Sequence, residues 1–78
     1  MKIEVFTKPG CPNCVAAKQL LKSKDMEFAE INLDTDFLLK EFVSAYPEAK
    51  QMPQIFIDGQ RVGGFAGLKV ALNQLNLI

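Results

Sequence analysis

The chain opens with two short apolar runs separated by one helix-length segment, an order that leaves few folds open. The first run, Lys2 to Phe6, is bounded by Thr7-Lys8-Pro9-Gly10 and suits a strand buried on both faces. Apolar residues then recur at helical spacing from Pro12 to about Lys24, and Glu27 to Leu33 forms the second run. Strand, helix and strand in succession favour a right-handed crossover, so we expect the two strands to pair in parallel.

The middle of the chain predicts a second helix. Asp34-Thr35-Asp36 supplies helix-capping side chains, and apolar residues from Phe37 to Tyr46 then repeat with helical period. Pro47 ends this helix, because its ring cannot continue one.

The last third of the chain predicts a hairpin and a closing helix. Gln54 to Ile57 is rich in strand-forming residues, and Asp58-Gly59 is a strong signal for a tight turn. Gln60 to Val62 can then return antiparallel. Three leucines recur at helical spacing in the closing segment: Leu68, Leu72 and Leu75.

The order of elements is therefore βαβαββα, which predicts an α/β fold with one mixed four-stranded sheet and three helices on its faces. This arrangement resembles the thioredoxin fold in its minimal form. Because 78 residues leave no room for a second module, we expect residues 1–78 to form a single domain.

Composition narrows the classes of function. Hydrophobic residues make up 49% of the chain and charged ones 23%, unlike the low-hydrophobicity, high-charge profile of disordered chains. Nine basic residues balance nine acidic ones, so no overall field attracts nucleic acid or an anionic membrane. No apolar stretch approaches the roughly 20 residues of a membrane-spanning helix, and Glu4 interrupts what would have to be an apolar signal core. We therefore expect a cytoplasmic monomer that binds neither nucleic acid nor membrane.

Two cysteines, Cys11 and Cys14, are the leading candidates for chemistry. The cytosol keeps thiols reduced, so disulfides there are usually transient and catalytic. Closing so short a loop contributes only roughly 2 kcal/mol, which makes a purely structural bridge the weaker interpretation. The alternatives are a pair of buried small hydrophobes or half of a zinc site, but zinc normally takes four ligands and the chain has no histidine. We therefore predict a redox-active pair and no metal site.

The positions of the two cysteines predict different roles for them. Cys11 directly follows the first strand, and Pro12 takes the favoured first helical position, so the Cys11 sulfur lies beside unpaired backbone N–H groups at the positive end of the helix dipole. Both stabilise a thiolate, and Lys8 adds a nearby cation, so we expect a lowered pKa for Cys11. Cys14 follows three residues later on the core-facing stripe, within reach of a disulfide. We predict that Cys11 attacks a disulfide and that Cys14 resolves the product.

Two further loops are candidate binding elements. In Gln51-Met52-Pro53 the proline holds Met52 extended and donates no hydrogen bond, which leaves the Met52 backbone free for a partner. The residues alone favour a trans Met52-Pro53 bond, because only about 5 to 6% of such bonds are cis in folded proteins. Gly63-Gly64 before a helix can cradle a carboxylate on backbone N–H groups, although a tight turn is the simpler interpretation.

Three motifs together resemble the glutaredoxin family, in order and spacing, across nearly the whole chain. They are Thr7-Lys8-Pro9-Gly10-Cys11-Pro12-Asn13-Cys14, Met52-Pro53-Gln54-Ile55-Phe56-Ile57-Asp58-Gly59 and Val62-Gly63-Gly64-Phe65. The resemblance implies a catalytic Cys11, a resolving Cys14, a cis bond at Met52-Pro53 and a glutathione groove between these loops.

The resemblance also implies which residues hold glutathione, a co-substrate that is not bound tightly. In the family, the lysine matching Lys8 contacts the glycyl carboxylate, and the residue matching Met52 pairs backbone to backbone with the tripeptide. The turn matching Gly64-Phe65-Ala66 receives the glutamyl end. The remaining candidates for the groove are Pro12, Asn13, Gln51, Pro53 and Lys40.

Two positions depart from the family pattern. The family usually has tyrosine where Asn13 stands and aspartate where Ala66 stands. The second change removes the counter-charge for the glutamyl amino group, and a charge-assisted hydrogen bond of about 1.5 to 3 kcal/mol corresponds to at least a tenfold loss of affinity. We therefore expect weak glutathione binding and a substrate preference that leans toward proteins.

The predicted function is that of a glutathione-dependent thiol-disulfide oxidoreductase, which reduces protein disulfides and glutathione mixed disulfides. A competing enzyme is a glutaredoxin-like redoxin that is reduced by thioredoxin reductase and donates electrons to ribonucleotide reductase, an alternative suggested by Ala66. A competing non-enzymatic role is that of a carrier in which Cys11 from two subunits and two glutathiones hold a [2Fe-2S] cluster. Pro12 and the second cysteine disfavour the carrier.

Overall fold

The computed structural model describes residues 1–49 and 51–77. In these residues the elements are β1 (Ile3–Thr7), α1 (Pro12–Ser23), β2 (Ala29–Asn32), α2 (Asp36–Ala45), β3 (Gln54–Ile57), β4 (Gln60–Gly63) and α3 (Phe65–Gln74). The predicted βαβαββα order is confirmed, with small shifts at the ends of elements. No helix in this part of the chain is long and apolar enough to cross a membrane.

The strands form one mixed sheet in the order β2-β1-β3-β4. β1 and β2 are parallel, as predicted, and β3 is antiparallel to both β1 and β4. The last residue of β1, the first residue of β3 and the last residue of β4 therefore lie side by side at one end of the strands. We call this end of the sheet, marked by Thr7, Gln54 and Gly63, the cysteine end, because the Cys11 loop follows Thr7.

The opposite end of the sheet is closed by the hairpin between β3 and β4. Asp58 and Gly59 have φ angles of 51° and 83°, the positive pair that a tight two-residue hairpin turn requires. The Asp58 N–H donates to the Lys2 carbonyl at 2.7 Å, and the Lys2 N–H donates to the Asp58 carboxylate at 2.7 Å. These bonds fix the hairpin to the start of β1. Met1, Gln74 and Leu75 line a shallow cavity of about 280 Å³ beside it.

The sheet separates two apolar clusters. The larger one lies between the sheet and helices α1 and α3 and contains Ile3, Val5, Ala17, Leu21, Ile55, Ile57, Leu68 and Leu72. The second lies under α2 and contains Cys14, Leu33, Phe42, Ala49, Met52 and Phe56. Phe6, which packs against the second cluster, has its ring centroid 4.7 Å from that of Phe42. Both faces of β1 are thus covered, but the α1/α3 side is the more tightly closed, because Phe6 stays half-buried.

Helix α2 buries fewer of its apolar side chains against the sheet than its sequence contains. Phe42 is the buried residue of this helix, whereas Phe37, at 67% exposure, and Val43, at 40%, face outward. One helix has to cover this face alone, so its flanks stay in solvent.

Helix α3 lies against β4 at Gly67. A Cβ added at Gly67 would penetrate the Val62 carbonyl oxygen and approach the Val62 carbonyl carbon to 3.0 Å. Since the neighbour is backbone, a side-chain rotation cannot relieve this overlap. The close approach of helix and strand therefore depends on glycine at this position.

A polar group of three side chains joins α1 to the sheet. The Thr7 hydroxyl donates to Glu30 at 2.9 Å, and the Lys18 ammonium bonds the same carboxylate oxygen at 2.9 Å. These two donors, Lys18 first, hold the pKa of Glu30 below its ordinary value. The charged form of Glu30 is thus favoured in the folded protein.

Neutralising this carboxylate by Glu30→Gln is expected to destabilise the protein in a pH-dependent way. The pKa of Glu30 is lower in the folded chain, so its stabilisation is fully present above the ordinary carboxyl pKa of about 4.3 and is lost as pH falls through the lowered value. For a pair this exposed we expect less than about 1 kcal/mol at neutral pH. Urea unfolding at about pH 7 and about pH 3 measures the difference, which should be smaller at the lower pH. The control is Glu27→Gln, at an exposed residue that makes no ion pair within the described residues; an equal pH dependence there would contradict the assignment.

Candidate active site

The Cys11 sulfur sits at the start of α1. Cys11 is the N-cap residue, with φ −111° and ψ 100°, and Pro12 begins the helix. The Cys14 N–H donates to the Cys11 sulfur at 3.1 Å. The sulfur therefore occupies the place where an N-cap side chain usually meets the unpaired N–H groups of the first turn. The same position favours a negative charge on that sulfur when the thiol is reduced.

Cys11 and Cys14 form a disulfide in this structure, with their Cα atoms 5.2 Å apart. Cys14 is buried at 2% exposure and belongs to the apolar cluster under α2, whereas Cys11 is only half-buried. A partner can thus reach the sulfur of Cys11 more readily than that of Cys14. The unequal roles predicted for the two cysteines require this difference.

The loop before β3 brings a free backbone to the disulfide. The Cys11 sulfur lies 3.3 Å from the Met52 carbonyl oxygen, and the Met52-Pro53 bond is cis. The Met52 and Pro53 side chains are both buried. Within the described residues, neither the N–H nor the carbonyl of Met52 has a backbone hydrogen-bond partner. The Met52 backbone predicted to be without a backbone hydrogen-bond partner therefore lies beside the sulfur, whereas residues 51 and 52 form a bend rather than the predicted extended segment.

The turn between β4 and α3 reaches the same place. Gly63 has φ 103°, and Gly64 is the N-cap of α3 without a side-chain cap. A Cβ at Gly64 would lie 3.4 Å from the Pro53 carbonyl oxygen, so the two loops are in contact. Gly63 thus ends β4 and Gly64 opens α3 beside Pro53. Binding of a carboxylate at this helix N-terminus stays a prediction. Phe65 is half-buried with the Lys69 ammonium 4.6 Å from its ring centroid, and Ala66 is exposed.

A shallow cavity of about 120 Å³ extends the site toward α2. It is lined by the predicted residues Lys8, Gln51 and Met52, together with apolar side chains from α2 and the loop that follows it. Pro12, Asn13 and Lys40 are exposed, and Lys40 does not line this cavity. The structure therefore brings Lys8 and Gln51 together beside Met52 and leaves Lys40 outside the cavity.

A polar network behind Met52 was not singled out from the sequence. The Gln54 amide N–H donates to the Gln51 carbonyl at 2.7 Å, and the Arg61 guanidinium donates to the Gln54 amide oxygen at 3.2 Å. Arg61 also donates to the Glu48 carboxylate at 3.1 Å. A polar residue heading the otherwise apolar strand β3 was the available sequence signal. In residues 1–49 and 51–77, no three His, Cys, Asp or Glu side chains are grouped as metal ligands would be.

Comparison with known proteins assigns a family to this geometry. The sequence profile of the family described as Glutaredoxin matches residues 3–62. A hybrid peroxiredoxin of Haemophilus influenzae is 47% identical over 62 residues, which are 80% of this chain and 25% of that protein. A probable glutaredoxin of Synechocystis is 45% identical over 64 residues, which are 81% of this chain and 73% of that one. The chain therefore spans a quarter of the hybrid protein and most of the second relative.

Solved structures share the fold over almost the whole chain. Glutaredoxin 1 of Francisella tularensis, crystallised with cacodylate, has a TM-score of 0.81 at 30% identity, covering 96% of this chain and 95% of that one. A buckwheat glutaredoxin in complex with glutathione has a TM-score of 0.79 at 22% identity, covering 96% and 71%. At that identity the second structure shows the common fold.

Proposed function

This chain belongs to the glutaredoxin family and carries the cysteine pair of a thiol-disulfide oxidoreductase, and on that premise we propose that glutathione is its reductant. Its proposed substrates are protein disulfides and mixed disulfides of glutathione, and its proposed place of work is the cytosol, as a monomer. The observation that carries the proposal is the accessible Cys11 sulfur, joined to Cys14 and lying 3.3 Å from the unpaired Met52 backbone.

Substrate reduction proceeds by two thiol-disulfide exchanges. The Cys11 thiolate attacks one sulfur of the substrate disulfide, forms a mixed disulfide and releases the other substrate sulfur as a thiolate, which takes up a proton. Cys14, deprotonated for the second step, attacks the Cys11 sulfur. The second substrate thiolate leaves, and the Cys11–Cys14 disulfide remains with the two electrons given up.

Glutathione restores the dithiol. One glutathione thiolate attacks the Cys11 sulfur, releases Cys14 and leaves a Cys11–glutathione mixed disulfide. A second glutathione thiolate attacks the glutathione sulfur and releases the Cys11 thiolate with oxidised glutathione. The sum is one substrate disulfide and two glutathiones converted to two substrate thiols and one glutathione disulfide.

The proposal assigns one group of the site to each part of glutathione. The proposal assigns the glycyl carboxylate to the Lys8 ammonium, the tripeptide backbone to Met52, and the glutamyl carboxylate to the N–H groups that open α3 at Gly64-Phe65-Ala66. The first turn of α3 contains no acidic residue, so the glutamyl amino group has no counter-charge there. Pro12, Asn13, Gln51 and Pro53 complete the proposed rim. We therefore expect binding in which backbone contacts outweigh charge.

The missing acid also favours a second candidate, a redoxin reduced by thioredoxin reductase that passes electrons to ribonucleotide reductase. The hybrid relative, named as a peroxiredoxin, suggests a further protein substrate for either candidate, a peroxiredoxin disulfide. Both candidates use Cys11 and Cys14 in the same roles. They differ in the molecule that reopens the disulfide.

Reduction of a glutathionylated peptide is expected when the protein is supplied with glutathione, glutathione reductase and NADPH. The measurement is NADPH oxidation, run beside an arm in which thioredoxin reductase replaces both glutathione and its reductase. Turnover only in the glutathione arm supports the proposal. Turnover only in the thioredoxin reductase arm would favour the second candidate. If no turnover occurs at any glutathione concentration, the proposal that glutathione is the reductant is refuted.

A further inference from the structure

The segment that carries Met52 is held from behind by side chains that take no part in the exchange reaction. We propose that Gln54 is a positioning residue: its amide fixes the peptide plane between Gln51 and Met52, and so aims the Met52 N–H at the peptide backbone of the substrate. Arg61 sets the direction of the amide. The inference rests on the proposed function, because it assumes a substrate with a peptide backbone.

The Gln54 amide is buried, so its hydrogen bonds matter. Gln54 is 5% exposed at the head of β3, whose other residues are buried apolar side chains. Burying an amide without partners is costly, but here its N–H donates to Gln51 and its oxygen accepts from Arg61. Both ends of the amide are therefore held.

Arg61 decides which end of the amide points to Gln51. A guanidinium carries donors only, so it bonds to the oxygen of the amide and leaves the NH₂ group for the Gln51 carbonyl. Arg61 is in turn held by Glu48, on the same loop that leads to Met52. The loop thus makes hydrogen bonds to the sheet at two points, the exposed Glu48 and Gln51, of which the second involves the buried amide.

The geometry of the peptide bond carries this constraint to Met52. The Gln51 carbonyl and the Met52 N–H belong to one planar peptide group, and this bond is not among the cis bonds of the described chain. In a trans peptide the carbonyl and the N–H point in opposite directions. Because Gln54 holds the carbonyl, the Met52 N–H must point away from Gln54. That N–H has no backbone acceptor within the described residues, so it is free to pair with a substrate.

Gln54→Glu tests the donor half of the amide. The carboxylate keeps the length of the side chain and the oxygen that accepts from Arg61, but it cannot donate to Gln51 and repels that carbonyl. Gln54→Met is the second variant, which removes both bonds without adding charge. The matched control is Gln60→Glu, the same change at an exposed residue whose side chain makes no hydrogen bond within the described residues.

Two single-turnover reactions of the reduced protein separate positioning from chemistry. One uses a glutathionylated peptide, which pairs with Met52, and the other uses dithiodipyridine, which has no peptide backbone. Both Gln54 variants are expected to slow the first reaction about tenfold, the worth of roughly one hydrogen bond, and to leave the second unchanged. Equal rates for variant and natural protein on the peptide, or equal slowing of both reactions, would overturn the proposal.

A second readout does not depend on glutathione. The residual dipolar coupling of the Met52 N–H reports the direction of that bond, and it is expected to change in both Gln54 variants but not in Gln60→Glu. An unchanged coupling would overturn the proposal even if the kinetics moved. If the natural protein shows no preference for the glutathionylated peptide over dithiodipyridine, the proposed function fails. The residual dipolar coupling of the Met52 N–H still decides the role of Gln54.

Discussion

Replacing Cys11 by serine is expected to abolish disulfide reduction, whereas Cys14→Ser should retain turnover of glutathione mixed disulfides. A serine hydroxyl is not ionised near neutral pH, so the attacking group is lost and the rate should fall by at least about a thousandfold. In the proposed mechanism Cys14 acts only after a mixed disulfide has formed, and glutathione can release that product instead. NADPH-coupled reduction of a glutathionylated peptide measures both variants.

The fold provides its own control for this pair of variants. The Cys11 sulfur accepts the N-cap hydrogen bond from the Cys14 N–H, and serine is a preferred N-cap residue, so Cys11→Ser should keep α1 intact. Circular dichroism would verify this. Equal loss of activity in the two variants would contradict the assigned roles. With a protein disulfide as substrate and no glutathione present, Cys14→Ser should instead accumulate a mixed disulfide on Cys11, visible by mass spectrometry.

Gly67→Ala is expected to destabilise the protein by about 2 to 4 kcal/mol, the upper range for overpacking, because the new methyl group has no space. Its Cβ would overlap the Val62 carbonyl, and only a shift of α3 away from β4 relieves that overlap. For a domain of this size such a loss lowers the melting temperature by roughly 10 °C or more. Thermal unfolding followed by circular dichroism measures the change.

The neighbouring position gives the matched control for Gly67. Helix propensity alone favours alanine over glycine by about 1 kcal/mol, so Gly67→Ala would stabilise an unobstructed helix. Ala66→Gly, at an exposed position of the same first turn, measures the local propensity and should cost about that amount. If Gly67→Ala raises the melting temperature, the contact between α3 and β4 is looser than the structure indicates.

The fold could be predicted because each helix and strand has a pattern of residues that is visible in its own segment of the sequence. Strand runs, helical periods and the Asp58-Gly59 turn each depend on nearby residues, and all seven elements appear in the predicted order. The three motifs meet because of the topology, since β1 ends, β3 begins and β4 ends at the cysteine end of the sheet. This arrangement brings Cys11, Met52 and Gly64 together although they are far apart in the chain.

Contacts between side chains were harder to predict. The bonds of Gln54 depend on the β3/β4 register, which shifts between Ile55 and Phe56 and places Arg61 opposite Phe56. Nothing in the sequence specifies that shift. The isomer of the Met52-Pro53 bond was likewise not predictable from the residues alone, which favoured trans, and only the family resemblance implied the cis bond that the structure has.

The helical period of the apolar residues predicts which side chains lie on the same face of a helix, but not which cluster each of them packs in. Cys14, Ala17 and Leu21 lie on one stripe of α1, yet Cys14 packs in the cluster under α2 while the other two pack under α1 and α3. Cys14 stands in the first turn, at the cysteine end, where the helix meets residues of both clusters. The local period cannot report this change of neighbours.

Met1 and the last turn of α3 line the same cavity, beside the hairpin that closes the far end of the sheet. Met1 and the C-terminal end of α3 thus lie at the end of the sheet opposite Cys11. A reporter domain, an electrode linker or a bead joined at either end would stand clear of the reactive sulfur. A substrate protein joined there by a flexible linker would reach Cys11 if the linker spans the length of the sheet. Its effective concentration at Cys11 would then be about millimolar.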